Sequence, residues 1–421
     1  MIPEDWEVKK VGDFVDIKHG YALKGEFFSD IPNENIVLTP GNFKIGGGFK
    51  SEKFKYTTEA YSDEYVLKEG DVIVTMTDLS KEGDTLGYAA KVPHDNVKKF
   101  LHNQRLGLLK FKSKISKDFL YWVLRSKRYN FFVVGSATGS TVKHTSPDRI
   151  KQYSFGMPIS FYEQEQIAKV LSDLDSKIEL NQQMNKNLEA IGQAIFKHWF
   201  IDFEFPNEEG KSYKSSDGEM VYNEDLGKDV PKGWEVSNID KEFNLVMGQS
   251  PPGSSYNEIG EGVVFFQGRT DFGHRFPSIR MFCTEPNRFA KKGDTLISVR
   301  APVGDINLAL QDCCIGRGLA AIRHKSNASS YTYYFMMTLK PIFDQFEAEG
   351  TVFGSLGKTD FEKIKVLNPP TKIINSFQNI VELIDKKIEY NILQILTLHN
   401  IRDSLLPKLL SGKIRVPVEV R

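Results

Sequence analysis

Cysteine is scarce in this chain. Cys283, Cys313 and Cys314 are the only three in 421 residues, and they form no C-x-x-C pair. A disulfide framework and a zinc site are both excluded by that spacing, and reduced thiols in a cytoplasmic protein are expected. No run of about 18 apolar residues occurs, so no membrane-spanning helix is expected. The opening Met1-Ile-Pro-Glu-Asp5 is acidic and lacks an apolar signal core, which argues against secretion. Net charge is absent as well, with 55 basic residues against 55 acidic ones.

Catalytic signatures are equally missing. There is no G-x-x-x-x-G-K-S/T segment, so nucleotide hydrolysis has no support. The histidines (His19, His94, His102, His144, His198, His274, His324, His399) are scattered without metal-ligand spacing, and no metal site is expected. Asn368-Pro-Pro370 resembles the Asn-Pro-Pro-aromatic motif of amino-methyltransferases, but Thr371 stands at the aromatic position. No glycine-rich cofactor loop follows a strand upstream. A proline pair that breaks the chain before a helix explains it as well.

What is present is a repeat. Asp175-Ser-Lys-Ile-Glu-Leu-Asn181 returns as Asp385-Lys-Lys-Ile-Glu-Tyr-Asn391, 210 positions later. The register holds onward, with Leu188, Ile191, Ile195 and Trp199 matched by Leu398, Ile401, Leu405 and Leu409. Pro3-Glu-Asp-Trp-Glu-Val8 returns as Pro231-Lys-Gly-Trp-Glu-Val236, and Gly70–Thr75 is loosely matched by Gly293–Ser298. The chain is therefore two copies of one unit, an internal duplication with approximate two-fold symmetry. Two-fold-related sites on duplex DNA suit such a shape.

Each copy reads as an α+β globular part followed by a long helix. Short β-type runs such as Asp71–Thr75 and Leu106–Phe111 alternate with Gly/Asn/Asp turns, and helices are expected at Lys117–Tyr129 and Tyr331–Phe343. The long helices are predicted at about Glu163–Phe200 and Ser376–Ser411, the first roughly 55 Å long. Apolar residues step by three and four through Ile167, Leu171, Leu174 and Ile178, and again through Phe377, Val381, Ile384 and Ile388, the period of a coiled coil. Asn181 and Asn391 fall at equivalent seam positions, where a polar residue costs stability but fixes register. The simplest structure pairs the two helices antiparallel; packing of each on its own globular part is the alternative. Gly192 is the only interior breaker of the first helix, and Pro407 should kink or end the second. Residues 203–230, rich in Glu, Asp, Gly and Ser, read as a linker.

Charge is unevenly spread. From Lys98 to Lys151 there are thirteen basic residues against Asp118 and Asp148, a local excess of eleven, while 202–229 is acidic. A basic face can thus hide in a neutral total, although charge runs also serve simply as solvated surfaces. The candidate DNA-contacting residues lie in polar loops. In the first half they are Lys24, Asn42, Lys44, Thr77, Asn103, Gln104, Arg105, Ser140, Thr141, Lys143 and His144. In the second they are Gln249, Ser250, Tyr256, Gln267, Arg269, Arg300, Arg317, Ser355 and Lys358. Arg, Asn and Gln can bond base edges bidentately, whereas Lys, Ser and Thr suit phosphates. Ordinary turn polarity accounts for any one of these loops equally well.

Several of these segments together resemble the specificity (S) subunits of type I restriction–modification systems. Met157-Pro158 followed by Glu163-Gln-Glu-Gln-Ile-Ala-Lys-Val-Leu171, then Asp175 and Ile178, is similar to that family's spacer pattern. The Pro-x-x-Trp-Glu-Val openings, Gly293–Gly304, Met76–Ser80 and His102–Arg105 are similar to segments of its recognition domains. The second helix departs from the pattern, with Ile373-Ile374 where Glu163-Gln164 stand in the first. The resemblance implies target recognition domains at 1–160 and 231–372, spacer helices at 161–202 and 373–416, a linker at 203–230 and a tail at 417–421. It implies that each domain reads one half of a split, asymmetric sequence in double-stranded DNA. It also implies two methyltransferase (M) subunits using S-adenosylmethionine and restriction (R) subunits as partners, with no cofactor, metal or catalytic residue in this chain. Other readings are a stand-alone methyltransferase or nuclease, a non-catalytic cytosolic scaffold, or another bipartite DNA-binding protein.

Overall fold

The computed structural model describes residues 3–78, 80, 82–139, 142–349 and 354–417. The chain divides into two compact units, one of Met1–Leu180 with Gln394–Arg421 and one of Asn181–Leu393. Each unit combines a globular part with a stretch of both long helices.

In the first unit, Trp6–Lys10 pairs antiparallel with Ser154–Pro158 and so joins the two ends of the globular part. An antiparallel four-stranded sheet runs in the order Val15–His19, Leu106–Phe111, Val72–Thr75, Ala89–Lys91. A five-stranded sheet runs Phe28–Ser29, Lys55–Thr57, Asn35–Leu38, Lys99–His102, Val66–Leu67, and its third and fourth strands are parallel. Val72-Ile-Val-Thr75 is buried throughout, which explains its near-continuous β-branched character.

The second unit repeats these three sheets. Glu235–Asn238 pairs with Lys365–Asn368. The four-stranded sheet is Phe243–Met247, Leu319–His324, Thr295–Ser298, Ile306–Leu308. The five-stranded sheet is Tyr256–Asn257, Met281–Cys283, Val263–Phe266, Cys313–Ile315, Phe289–Ala290, again with a parallel pair in the middle. All three cysteines lie buried in this sheet as free thiols, and burial pushes Cys313 up to about 12.

The single helix expected at Lys117–Tyr129 is two, Lys117–Val123 and Lys127–Gly135. Ser126 causes the break: its hydroxyl accepts from the Tyr129 N–H and starts a new helix. Tyr331–Phe343 is likewise two helices, Ser329–Thr338 and Lys340–Glu349, with Pro341 tolerated in the first turn of the second. The 203–230 segment is not a featureless linker. It carries a hairpin of Met220–Asn223 with Lys228–Pro231, and Phe203, Phe205 and Val230 are buried in the second unit's core beside Trp234. Its acidic composition concealed three apolar anchors.

The long helices run over Phe161–Phe196, continued by a π-helical turn at Lys197–Ile201, and over Thr371–Leu409. Ser160 opens the first by accepting from the Glu163 N–H. They run antiparallel in each unit: Asp175 bonds Arg402 in the first, and Asn185 bonds Asn391 in the second. Ile167, Leu171 and Ile178 on one helix, and Phe377, Val381 and Ile388 on the other, are buried along the expected seam. Pro407 lies two residues before the end of the second helix. Gly192 is explained by packing, because a Cβ there would collide with the Tyr334 ring. No helix among the described residues is long and apolar enough to cross a membrane.

Candidate nucleic-acid interface

The turn preceding the central strand of the four-stranded sheet is a hub in both units. In the first, the Asn103 side chain accepts from the Arg105 N–H at 3.0 Å and shapes the turn. The Met76 N–H donates to the Arg105 carbonyl at 2.9 Å, and the Thr145 N–H to the Met76 carbonyl at 3.0 Å. Lys143–His144 pairs with Thr77–Asp78, and the Thr77 hydroxyl sits 3.2 Å from His144 Nδ1. Gln104, Arg105, Thr77, Lys143 and His144 are thereby brought together. Gln104, Arg105 and His144 are exposed, whereas Thr77 and Asn103 are buried and hold the loops.

In the second unit the Ser250 hydroxyl accepts from the Arg317 N–H at 3.2 Å, as Asn103 does for Arg105. The Gly316 N–H donates to the Phe266 carbonyl at 2.8 Å, and the Val299 N–H to the Gly318 carbonyl at 2.9 Å. Arg300 and Ser355 form an isolated bridge. Gln249, Ser250, Gln267, Arg300, Arg317 and Ser355 therefore converge. No ion pair or side-chain hydrogen bond engages the guanidinium of Arg105, Arg300 or Arg317 among the described residues, and all three are exposed.

Other candidates belong elsewhere. Asn42 is 1% exposed; its carboxamide accepts from the Thr39 N–H and donates to the Lys50 carbonyl, so its polarity is spent inside the loop. Lys44 turns to Glu179 on the first long helix at 3.4 Å. The Lys24 N–H bonds Glu59. Tyr256 stacks on Phe265 at 4.7 Å and donates to the Pro251 carbonyl. Arg269 pairs with Asp305, and Lys358 with Glu362. Ser140 and Thr141 lie outside the described residues.

The basic tract is less basic in space than in sequence. Lys98 pairs with Asp95, Lys99 with Glu34, and Lys112 with Asp16, while Arg125 is buried against Asp175. These carboxylates come from outside the tract or from its edge, which a local count cannot register. The loop after Thr77 is shaped by a residue of the Met76–Ser80 segment that is not among the candidate DNA contacts. Asp78, 4% exposed, accepts from the N–H groups of Ser80 and Thr85 at 2.7 and 2.6 Å. Burial raises its carboxyl, but these hydrogen bonds outweigh burial and hold it below the ordinary value. Burial drives His102 down to about 4, so it is neutral and holds the Leu106 carbonyl rather than facing outward. No group of three His, Cys, Asp or Glu residues is placed to hold a metal ion among the described residues.

A sequence profile of the type I restriction modification DNA specificity domain matches residues 3–190 and again 231–398. The chain belongs to the family of type I restriction–modification specificity subunits. It is 32% identical over 431 residues to a putative type I restriction enzyme MjaX specificity subunit of Methanocaldococcus jannaschii, covering 99% of this chain and 95% of that one. The MjaIX specificity subunit of the same organism is 27% identical at the same coverage. The crystal structure of the S subunit from M. genitalium has the same fold, with a TM-score of 0.61 at 19% identity, covering 97% of this chain and 96% of that one. As a specificity subunit, this chain has DNA recognition as its role. The family profile matches twice, once per globular part, as the repeated sheets require.

The pair Glu163-Gln164 has distinct duties here. Glu163 takes Arg415 at 2.6 and 2.8 Å. Gln164 accepts from the Ser116 N–H at the start of helix Lys117–Val123. In the second half Gln378 accepts from the Ser330 and Tyr331 N–H groups at the start of Ser329–Thr338. The helix-start contact thus survives the Ile373-Ile374 replacement by moving one turn along.

Proposed function

We propose that this specificity subunit reads a bipartite, asymmetric duplex target, one half-site per globular part, and does no chemistry itself. Adenine methylation would be performed by two docked methyltransferase subunits using S-adenosylmethionine, with restriction subunits joining for cleavage. The observation that carries this reading is the pair of matching hub turns with different surroundings. Arg105 follows Asn103 and Gln104 and lies beside His144 and Lys143; Arg317 is flanked by Gly316 and Gly318 and lies beside Gln249, Ser250 and Arg300. Two equal readers would select a palindrome, whereas two readers sharing a scaffold but not side chains select unlike half-sites. In each hub an exposed guanidinium with no ion pair among the described residues suits bidentate bonding to guanine O6 and N7.

Adenine methylation should be mapped genome-wide in a host carrying this subunit with its methyltransferase. One two-part motif with unlike halves is expected, absent when this subunit is deleted. A palindromic motif, or methylation by the purified chain without partners, contradicts the reading.

A further inference from the structure

The repeated segments Asp175–Asn181 and Asp385–Asn391 each carry an aspartate and, four residues on, a glutamate. That spacing puts both carboxylates on one helix face. In the first unit Arg125 reaches Asp175 at 2.5 Å and Lys44 reaches Glu179 at 3.4 Å. In the second, Arg275 reaches Asp385 at 2.6 Å and Lys292 reaches Glu389 at 3.2 Å. The repeated acidic pair therefore receives an arginine and a lysine from the globular part in both units.

Each guanidinium also lies over an aromatic pair. Arg125 is 4.4 Å from the Trp122 ring centre and 5.3 Å from that of Tyr121. Arg275 is 4.1 Å from Tyr333 and 5.4 Å from Tyr334. Tyr121-Trp122 and Tyr333-Tyr334 occupy corresponding places in corresponding helices. The arginines themselves do not correspond. Arg125 follows its helix directly and donates to the carbonyls of Gly46 and Gly47. Arg275 comes from the loop after Arg269–Asp271. Two unrelated chain positions thus deliver a guanidinium to the same socket of helix carboxylate and aromatic pair.

Burying a charge for cohesion alone is poor economy, since apolar groups of similar volume do as well or better. A planar guanidinium differs in being satisfied only in a narrow set of orientations. Arg275 is fully buried and Arg125 nearly so.

We propose that Arg125 and Arg275 are positioning residues, each locking its globular part to the helices in one orientation and so fixing where its hub turn meets its half-site. This rests on the bipartite reading above. The ionic balance differs between the sockets. Asp175 also takes Arg402 at 2.5 Å, giving two arginines to one carboxylate, whereas Arg275 also takes Glu189 at 2.5 Å, giving two carboxylates to one arginine.

The test uses the full chain assembled with its methyltransferase subunits, on DNA whose half-sites are separated by the natural number of base pairs, one fewer or one more. Arg275→Met alone leaves Glu189 and Asp385 buried without their partner and risks misfolding. The triple variant Arg275→Met, Glu189→Leu, Asp385→Leu removes all three charges and is expected to match the wild type in urea stability. With it, methylation at the altered spacings relative to the natural one should rise about tenfold, because small misplacements at a reacting site change rates by such factors. Base preference in the half-site read by the first unit should not change. A folded triple variant with wild-type spacing selectivity overturns the proposal, as does equal loss of methylation at all spacings. If the wild-type assembly itself methylates no two-part motif, the bipartite reading has failed, and the proposal with it.

Discussion

Asn391 donates its side-chain amide to Asn185 at 2.9 Å, both residues being buried in the helix seam of the second unit. The place of Asn391 in the seam was legible from the helix period; that of Asn185, four residues beyond Asn181 on the same face, was not singled out. Asn181 is itself 1% exposed. The Asn391 carbonyl oxygen has no partner among the described residues, so the pair is only half satisfied. Replacing Asn391 alone by Leu strands the Asn185 amide and should cost about 1–3 kcal/mol. Replacing both by Leu should recover that loss and raise the urea midpoint above wild type. A double variant less stable than either single one would show that the amides form a needed network.

Gly192→Ala tests the helix against its neighbour. Alanine favours a helix by roughly 1 kcal/mol over glycine. The collision of the new Cβ with Tyr334 should outweigh this, for a net loss of about 1–3 kcal/mol. Chemical denaturation measures it directly, and a gain in stability would mean the ring moves aside freely.

The two sockets should respond oppositely to acid. Burial raises Asp175, but Arg125 and Arg402 outweigh it and hold the carboxyl below its ordinary 3.8. Its stabilisation is present above that unfolded value and is lost as pH falls through the lower folded one. Burial raises Asp385, and Arg275, shared with Glu189, offsets this only in part. Its contribution is greatest below 3.8 and is lost as pH rises through the folded value. In urea titrations from pH 7 to pH 3, the advantage of wild type over Asp175→Asn should hold until about pH 3.8 and then shrink. Relative to Asp385→Asn, wild type should gain on acidification. Parallel curves for the two variants would contradict the opposite shifts.

Arg105 and Lys112 separate reading from general attraction. Arg105 is exposed in the hub turn, whereas Lys112 pairs with Asp16 at 3.3 Å. In the assembled methyltransferase at fixed salt, Arg105→Ala should weaken specific binding by about 1–3 kcal/mol and barely affect non-specific DNA. Lys112→Ala should change both little. Equal effects of Arg105→Ala on the two DNAs would make it a phosphate contact.

The duplication and the helix seam were legible because they repeat or follow a local period, whereas Arg105 and Arg317 were named from polar turns before apolar strands, and the structure places both in exposed turns. The sheets were less so, since strands such as Val66–Leu67 and Phe289–Ala290 span two residues and owe their pairing to distant partners. The sockets were invisible for the same reason. Arg125 lies 50 positions from Asp175, and Arg275 lies 110 from Asp385. Only the repetition of the two aspartates hinted at a shared task. Turn polarity serves folding as readily as binding, and that of Asn42 and Lys44 serves Lys50 and Glu179 here.

The central claim is that each globular part reads its own half-site. Its most direct test replaces residues 1–160 with the corresponding part of a related specificity subunit, assembles the hybrid with the same methyltransferase, and sequences the methylated adenines. The account predicts a motif with one half changed and the other, together with the spacing, retained. A motif changed in both halves would contradict it.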